Sequence, residues 1–179
     1  MASSAPTAAP APARPPFPPF TRETAEKKVK AAQDAWNTKN PSIVAPAYTE
    51  DCIWRNRDAF FQGHAAIVQF LEGKWSRESG YRLRKELFAF TDDRIAVQFW
   101  YEYFVEGEDG KGDGTGDGKG KGGEKQWYRC YGLEDWTFAA DGRMRKRMMS
   151  GNDVAIAEDE RWFRDGVDVN TVPISEKHW

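Results

Sequence analysis

The sequence predicts an α+β fold, with helices gathered against one face of a bent sheet whose strands are mainly antiparallel. Helical spacing of apolar residues is confined to the chain before residue 80, and four long alternating segments follow it. In these segments, for example 100–103 and 127–131, aromatic and charged side chains fall on both faces. Both faces of the sheet must therefore be covered by helices, by a second subunit or by a ligand.

Two helices are predicted near the N-terminus. They follow a segment, residues 1–19, that consists mostly of Ala, Pro and Ser and is expected to be a disordered tail. Thr21 is a suitable N-cap for the first helix, whose apolar residues recur at intervals of three and four up to Trp36. Pro41 takes the favoured first position of a second, short helix, which Pro46 should distort because it removes a backbone donor.

A short strand and a third helix are predicted next. The strand covers residues 52–56, and a turn region that ends at Gly63 follows it. Ile67 and Leu71 then mark the apolar face of the third helix, which Gly80 is expected to end.

Four longer strands are predicted after Gly80, at residues 81–90, 94–106, 126–138 and 144–152. The turns at Asp92-Asp93 and Asp141-Gly142 predict antiparallel connections, and a last helical turn is expected at residues 158–163. Within the fourth strand, methionines alternate with basic residues. This pattern favours an amphipathic edge strand over a nucleic-acid site.

A glycine-rich run at residues 107–125 interrupts the predicted sheet. The motif G-x-G-x-x-G occurs there at 118–123, but it follows from the glycine density, and no helix comes after it to face a phosphate. The run is therefore predicted to be a flexible hairpin extension. It lies inside one domain, residues 20–165, which a C-terminal tail at 166–179 follows.

Composition limits the classes of partner. The 179 residues include 26 Lys and Arg against 28 Asp and Glu, so no strong net charge favours nucleic acid or an anionic membrane. No apolar run is long enough to span a membrane, and no secretory signal is expected. Cys52 and Cys130 are expected to be reduced thiols, which together with these absences predicts a cytoplasmic protein.

Histidine is nearly absent from the sequence. Only His64 and His178 occur, and neither is expected to face a pocket. A histidine acid–base pair, a histidine-activated nucleophile and a histidine metal site are therefore not expected. The sequence predicts neither a metal nor another cofactor.

Carboxylates are the remaining candidates for acid–base catalysis. Glu86, Glu102 and Glu134 lie on predicted strands, where a buried glutamate beside aromatic rings can have a raised pKa. The structural alternative is that each glutamate pairs with an arginine across strands. Suitable partners on the same strands are Arg82, Arg84, Arg129 and Arg147.

The first strand offers a surface for binding. Trp54 and Asn56 share one face, and an inward Trp and Asn would suit a ligand that needs one stacking surface and one hydrogen bond. The alternative is a core tryptophan and a turn-capping asparagine. Trp75 shares the helix face of Leu71, which favours a core position over pocket lining.

Three segments, 47–51 (AYTED), 54–57 (WRNR) and 63–70 (GHAAIVQF), together with the order of elements, resemble the nuclear transport factor 2-like (SnoaL-like) superfamily. The segments 81–87 (YRLRKEL) and 152–154 (NDV) resemble one branch of it, a domain of unknown function. The resemblance implies a cone-shaped roll, in which a strongly curved, mainly antiparallel sheet wraps around three N-terminal helices and a pocket. It also implies a homodimer formed through the outer face of the sheet.

The resemblance does not select an activity, because the superfamily contains isomerases, dehydratases, epoxide hydrolases and binding modules. Asn56 aligns with the aspartate base of ketosteroid isomerases, and an asparagine cannot take that proton. Ala32 aligns with their oxyanion-binding tyrosine. The catalytic residues of those enzymes are therefore not carried over to this chain.

The leading hypothesis is a homodimer that binds a small hydrophobic or mixed-polarity molecule in the cone. The expected lining residues are Trp54, Asn56, Trp75, Arg129, Tyr131 and Glu134. Alternation leaves open which strand face points inward. The pocket side can carry either Trp100 and Glu102 or, on the other face, Phe99 and Tyr101. Two hypotheses compete with this one: a metal-free lyase or isomerase with one of the three glutamates as base, and a dimerisation scaffold whose cone is filled by side chains.

Overall fold

A mixed sheet curves around three helices in the computed structural model of the chain, which describes residues 12–107 and 125–176. The helices are α1 (Arg22–Asn37), α2 (Pro41–Val44) and α3 (His64–Arg77). The strands are β1 (Tyr48–Asn56), β2 (Ala59–Gln62), β3 (Ser79–Phe90), β4 (Arg94–Glu106), β5 (Lys125–Phe138) and β6 (Met144–Ile156). Their order across the sheet is β2-β1-β6-β5-β4-β3, and only the β1–β6 pair is parallel among these strands. The predicted α+β cone is confirmed.

Helix starts agree with the local signals in the sequence. The hydroxyl of Thr21 accepts a hydrogen bond from the amide of Thr24 at 3.3 Å and so caps α1, a contact worth about 1 kcal/mol. Asn40 caps α2 in the same way, and Pro41 is its first residue. The distortion predicted at Pro46 is a 3₁₀ turn at Ala45–Ala47, which leads directly into β1.

Strand β2 was not predicted, because the sequence analysis assigned its residues to a turn region. β1 is also longer than expected and begins at Tyr48. β2 pairs with β1 in antiparallel register, and Asn56 faces Ala59 across a two-residue turn. Arg57 adopts the left-handed conformation in this turn, with φ 59°. Such turns normally carry Gly or Asn, so the local sequence held no hairpin signal.

The predicted end of α3 at Gly80 was also wrong. The helix ends at Arg77, and Gly80 lies within β3 with φ 63°. A Cβ atom on Gly80 would come within 2.8 Å of the Trp127 ring. The glycine is required by this close approach and by its backbone conformation, not by the helix terminus.

The prediction that β6 is an edge strand was wrong, since β6 lies between β1 and β5. Arg147 of this strand is 2% exposed and points into the cone. The parallel pairing of β6 with β1 joins segments about 90 positions apart in the chain, which no local pattern reports.

Strand pairing settles which face points inward. Trp54 faces Arg147 across the β1–β6 pair, and Tyr101 faces Cys130 across the β4–β5 pair, all four on the concave side. Phe99 lies on the same side as Tyr101 and stacks on it with ring centroids 6.0 Å apart. The inner face therefore carries Phe99 and Tyr101, and the outer face carries Trp100 and Glu102.

The outer face is partly covered by the chain that follows β6. Phe163 and Val169 pack against Trp100 in a second buried cluster. The guanidinium of Arg161 lies 3.6 Å from the ring centroid of Trp127, also on the outer side. We call residues 157–174 the C-terminal strap. The predicted helical turn within it is a 3₁₀ turn at Glu158–Glu160.

The two ends of the chain and the glycine-rich run are described in part. Residues 1–11, 108–124 and 177–179 lie outside the described residues, and with them most of the predicted flexible extension and His178. Of the predicted N-terminal tail, residues 12–19 run along one end of the sheet. The amide of Arg14 donates to the carbonyl oxygen of Asp141 at 2.8 Å, a contact that the expectation of a disordered tail did not include.

Candidate functional site

Trp36 stands at the centre of the cone. Its ring stacks on Trp54 with centroids 6.0 Å apart and 15° between the planes, and Trp75 meets it edge-on at 5.8 Å. Its Nε1 donates to the hydroxyl of Tyr48 at 3.4 Å. Two cavities lie on different sides of this ring, and Trp36 lines both.

The first cavity, which we call the polar cavity, holds a buried ion cluster from three strands. Oε1 of Glu134 accepts from Arg147 at 2.6 Å and lies 3.0 Å from the ammonium of Lys85. Oε2 of the same carboxylate accepts from Nε1 of Trp136 at 2.6 Å. Each of the three charged side chains is 2% exposed. Both oxygens of the carboxylate are therefore engaged.

The protonation states of this cluster follow from its contacts. Burial would raise the pKa of Glu134, but Arg147 and Lys85 outweigh it and lower the pKa to about 2. Burial lowers the pKa of Lys85 to about 8, against the opposing attraction of Glu134. Glu134 is thus permanently ionised near neutral pH, with its lone pairs occupied. It is suited to holding strands together and unsuited to accepting a proton.

A second ion pair borders the polar cavity. The ammonium of Lys74 pairs with Glu78 and also lies 3.3 Å from the hydroxyl of Tyr101. Burial lowers the pKa of Lys74 and raises that of Glu78. On the opposite wall, Oδ1 of Asn56 accepts from Arg147 at 3.2 Å. Burial thus shifts the pKa values of Lys74 and Glu78 towards each other, which weakens the preference of each group for its charged form.

The polar cavity is very small. Its volume is about 10 Å³, which holds at most about one water molecule. The aromatic side chains that line it account for this small volume, since the ring of Tyr101 contacts those of Tyr81 and Phe99, with centroids 5.0 and 6.0 Å apart. The centre of the cone is therefore largely filled by side chains.

The second cavity, which we call the apolar cavity, has a volume of about 180 Å³. It lies between α1, α2 and the end of the sheet, and its walls are mainly aliphatic and aromatic. The walls include Ala32, Ala35, Trp36, Val44, Tyr48, Trp136, Phe138 and Met144. Ala31 and Ile43 also line it and are exposed, so the cavity reaches the surface. The N-terminal segment crosses it at Arg14 and Pro15.

Four of the six predicted lining residues lie on the inner side of the molecule. Asn56 and Glu134 line the polar cavity, while Trp54 and Trp75 flank Trp36 in the core around it. The indole Nε1 atoms of Trp54 and Trp75 are buried and find no hydrogen-bond acceptor among the described residues. None of these four side chains lines the apolar cavity.

The structure does not bring Arg129 and Tyr131 to either cavity, because both point to the outer face. Arg129 donates to Glu102 at 2.7 Å and lies over the ring of Trp162, with 3.5 Å between its guanidinium carbon and the centroid. Tyr131 meets the same Trp162 edge-on at 5.9 Å. They hold the C-terminal strap on the sheet.

Glu102 and Glu86, the other candidate bases, also lie on the outer side. Glu102 is fully buried and accepts hydrogen bonds from the amides of Trp162 at 2.8 Å and Phe163 at 3.0 Å, in addition to Arg129. Glu86 has a side chain that is 42% exposed and pairs with Arg84 at 2.9 Å. Glu102 thus pairs with an arginine across strands, as in the structural alternative, whereas Glu86 pairs with an arginine two positions away on its own strand, β3.

Sequence reasoning named Arg147 as a partner for the candidate glutamates but missed two other cations inside the cone, Lys85 and Lys74. Lys85 lies between Leu83 and Leu87 on a strand whose inner residues are otherwise apolar, and this interruption was the available signal. Lys74 and Glu78 carried a second signal, since their spacing of four brings them together at the helix end. Alternation alone could not reveal that Lys85, Glu134 and Arg147 converge.

The described part of the chain has neither a cluster of potential metal ligands nor a long apolar helix. Within residues 12–107 and 125–176, no group of three or more His, Cys, Asp or Glu side chains is placed to hold a metal ion. No helix in these ranges is long and apolar enough to cross a membrane. Cys52 and Cys130 are buried and not bonded to each other.

Several solved structures share the fold. One is SalBIII, an epoxide hydrolase/cyclase-like enzyme with a role in pyran ring formation in the polyether salinomycin (12% identity, 73% of this chain and 93% of that chain covered, TM-score 0.55). A second is assigned as a SnoaL-like polyketide cyclase from Shewanella denitrificans (15% identity, 71% and 90% covered, TM-score 0.56). A third is a nuclear transport factor 2-like protein from Burkholderia pseudomallei (15% identity, 72% and 90% covered, TM-score 0.55).

At these identities the likeness establishes the fold and not the activity. No protein of curated function matches the sequence. A family model does match, and it covers the helices, the complete sheet and the first part of the C-terminal strap, residues 18–164. The chain therefore belongs to the family described as protein of unknown function DUF1348, within the nuclear transport factor 2-like fold.

Proposed function

We propose that this protein binds a small, mainly apolar molecule in the apolar cavity. The observation that carries the proposal is the contrast between the two cavities. The centre of the cone offers about 10 Å³, whereas the space between α1, α2 and the sheet offers about 180 Å³ and reaches the surface. Apolar walls with few polar groups are typical of small-molecule sites.

The position of the cavity also supports binding. Trp36, Trp136 and Tyr48 form its inner wall, and the buried ion cluster lies directly behind Trp36. The guanidinium of Arg147 lies 4.8 Å from the centroid of the Trp36 ring, and the ammonium of Lys85 lies 5.7 Å from it. The cluster thus holds the ring in place, so that a ligand meets a preformed aromatic wall. In this proposal Asn56, Glu134, Trp54 and Trp75 support the site from behind.

The chemistry of the structural neighbours suggests where to search for ligands. SalBIII acts in forming a cyclic ether, and the Shewanella protein is assigned to polyketide cyclisation. A thermal-shift screen should therefore include small cyclic ethers, polyketide fragments, terpenoids and aromatic acids. A ligand present at about 100 times its dissociation constant adds about 2.7 kcal/mol. For a domain of this size the melting temperature should rise by roughly 5–10 °C.

A cavity-filling variant tests whether the ligand binds in the apolar cavity. Ala32→Leu places three additional carbon atoms in the apolar cavity, at a helix position that tolerates leucine. Hits from the screen should lose at least ten-fold in affinity in this variant. Ala65→Leu, at an exposed position of α3 that does not line the cavity, is the matched control. If a hit binds both variants with equal affinity, its binding site lies outside the apolar cavity. If no compound in the screen raises the melting temperature, the result favours a dimerisation scaffold whose cone is filled by side chains.

A second candidate function is a metal-free lyase or isomerase. The observation that favours it is the Lys74–Glu78 pair beside Tyr101, in which the two pKa values are displaced towards each other. In this hypothesis the candidate base is Glu78, in place of Glu86, Glu102 and Glu134, which the sequence analysis considered. Turnover of a ligand from the screen should fall at least 100-fold in Glu78→Gln, without a matching loss of ligand affinity. Unchanged turnover would remove Glu78 from the mechanism.

We also propose that the protein is a cytoplasmic homodimer that associates through the uncovered part of the outer sheet face. Ile53 and Leu133 support this, since both are outward-facing and about half exposed, at 48% and 53%. Light scattering at about 100 μM should give twice the chain mass, and Leu133→Asp should give the monomer. A monomeric wild-type protein at that concentration would contradict the dimer.

A further inference from the structure

Lys28 is a buried cation on the wall of the apolar cavity, and no pattern in the sequence marks it as a candidate site residue. It lies on α1 and is 9% exposed. Its ammonium donates to the carbonyl oxygen of Arg14 at 2.5 Å and to that of Gly142 at 2.6 Å. The ring of Phe138 lies below it, with 5.4 Å from the nitrogen to the centroid.

No carboxylate in the described part of the chain forms an ion pair with this ammonium. Asp141 is the carboxylate that acts on the pKa of Lys28, but its side chain accepts hydrogen bonds from the amide and the guanidinium of Arg143 at 2.9 and 2.8 Å. Arg14, on the segment that crosses the cavity, adds a second positive charge. Burial and the nearby Arg14 lower the pKa of Lys28 to about 8, with Asp141 opposing. Near neutral pH the cavity wall is therefore cationic.

The donors of Lys28 are only partly used. An ammonium group has three N–H donors, and the two backbone carbonyls take two of them. A buried charge without a counter-ion is unfavourable. A ligand carboxylate would therefore bind Lys28 through two favourable interactions, the ion pair with the ammonium and a hydrogen bond from its third N–H. Apart from Arg14 and Tyr48 the remaining wall is apolar, which suits a hydrocarbon body attached to that carboxylate.

We propose that the apolar cavity selects small organic acids, with Lys28 as the counter-ion of the carboxylate and Trp36, Val44 and Met144 around the hydrocarbon part. This inference rests on the proposed function, since it specifies the ligand class of the same cavity. A benzoate ion has the size and polarity that the cavity requires. Its neutral analogue benzamide has the same shape and carries no charge.

The test is a calorimetric or NMR titration of the full chain with benzoate and with benzamide at pH 6.5. Benzoate should bind at least ten-fold more tightly than benzamide. In Lys28→Met this preference should disappear while benzamide binding remains. Lys30→Met is the matched control, because Lys30 lies on the same helix, is exposed and pairs with Asp34. It should retain the preference for benzoate.

The pH dependence supplies a readout that needs no variant. Arg14 from the N-terminal segment and Asp141 from the β5–β6 turn act on Lys28, and Tyr48 lines the same cavity. Lys85 also has a pKa of about 8, but it lies behind Trp36 and does not line this cavity, so Lys28 is the cavity cation whose charge is lost above pH 8. Benzoate affinity should therefore fall by up to ten-fold per unit above pH 8, and benzamide affinity should stay constant. Equal affinities for the two probes, or a preference that persists in Lys28→Met, would overturn the inference and leave the binding function intact. Failure of both probes and of the whole ligand screen would overturn the binding function itself.

Discussion

Arg147 donates a hydrogen bond of 2.6 Å to Glu134, between two side chains that are each 2% exposed. The pair joins β6 to β5, and Lys85 joins it from β3. The three side chains together carry one net positive charge beneath the ring of Trp36. A buried cluster of this kind depends on every member, because the loss of one leaves the others charged and unsolvated.

Glu134→Gln should therefore destabilise the fold strongly. The variant leaves Arg147 and Lys85 buried without their counter-charge, and we expect a loss of about 3–5 kcal/mol in the free energy of unfolding. Urea denaturation followed by tryptophan fluorescence measures it. Glu86→Gln, at an exposed position, is the control and should change stability by less than about 0.5 kcal/mol. A stable Glu134→Gln protein that had lost only a catalytic activity would instead identify Glu134 as a base.

Stability should increase with pH above neutrality. Lys28 and Lys85 have pKa values of about 8 in the folded protein, below the ordinary lysine value of about 10.4. Between these values the unfolded chain binds protons that the native chain does not, so the free energy of unfolding rises with pH. The buried thiols of Cys52 and Cys130 oppose this trend, because burial raises their pKa values to about 12 and they keep protons that the unfolded chain loses. We expect a net gain on the order of 1 kcal/mol from pH 8 to 9.5, measured by urea denaturation.

Two checks accompany this profile. Lys28→Met should remove part of the gain, because it removes one of the two titrating groups. Above about pH 10 the trend should reverse, since burial raises the pKa values of Tyr81 and Tyr101 and keeps them protonated in the folded state. A stability that falls steadily from pH 8 to 9.5 would show that the two lysines contribute less than the buried thiols of Cys52 and Cys130, and would contradict the prediction.

Glu102 should anchor the C-terminal strap. Its carboxylate accepts from Arg129 and from the amides of Trp162 and Phe163, all at 2.7–3.0 Å. In Glu102→Gln we expect the amides of Trp162 and Phe163 to exchange at least ten-fold faster with deuterium, and proteolysis to begin in the strap. Asp135→Asn, exposed on the outer face of β5, should leave both unchanged. Unaltered exchange in the Glu102 variant would mean that the aromatic contacts alone hold the strap.

Deletion of residues 109–122 from the glycine-rich run should be neutral for folding. Glu106 pairs with Lys125 at the ends of β4 and β5, so the hairpin register is complete before the run begins. A shorter connection lowers the entropic cost of closing the loop, here by about 1 kcal/mol, so it does not destabilise the fold. The melting temperature of the deletion variant should equal that of the wild type or lie slightly above it, and light scattering should give the same mass. A marked loss of stability or of association would assign the run a structural role.

Local signals in the sequence determined the elements of this fold. The Thr21 cap, Pro41 at a helix start and the helical spacing up to Trp36 act over a few residues, and the structure has helices there. Period-two alternation likewise fixed that Trp54 and Asn56 share a face. What these signals could not give is β2, whose turn uses Arg57 in a left-handed conformation without the usual glycine or asparagine.

Only the tertiary structure decided which face of the sheet forms the interior. Both faces carry aromatic and charged residues, because the helices bury the inner side and the C-terminal strap buries part of the outer side, around Trp100. Arg129 and Tyr131 therefore carry the same pattern in the sequence as true interior residues. The convergence of Lys85, Glu134 and Arg147 and the cavity beside Lys28 likewise depend on strand pairings and segment contacts far apart in the chain. Alternation specifies two faces of a strand, and only the packing of distant segments specifies what covers each of them.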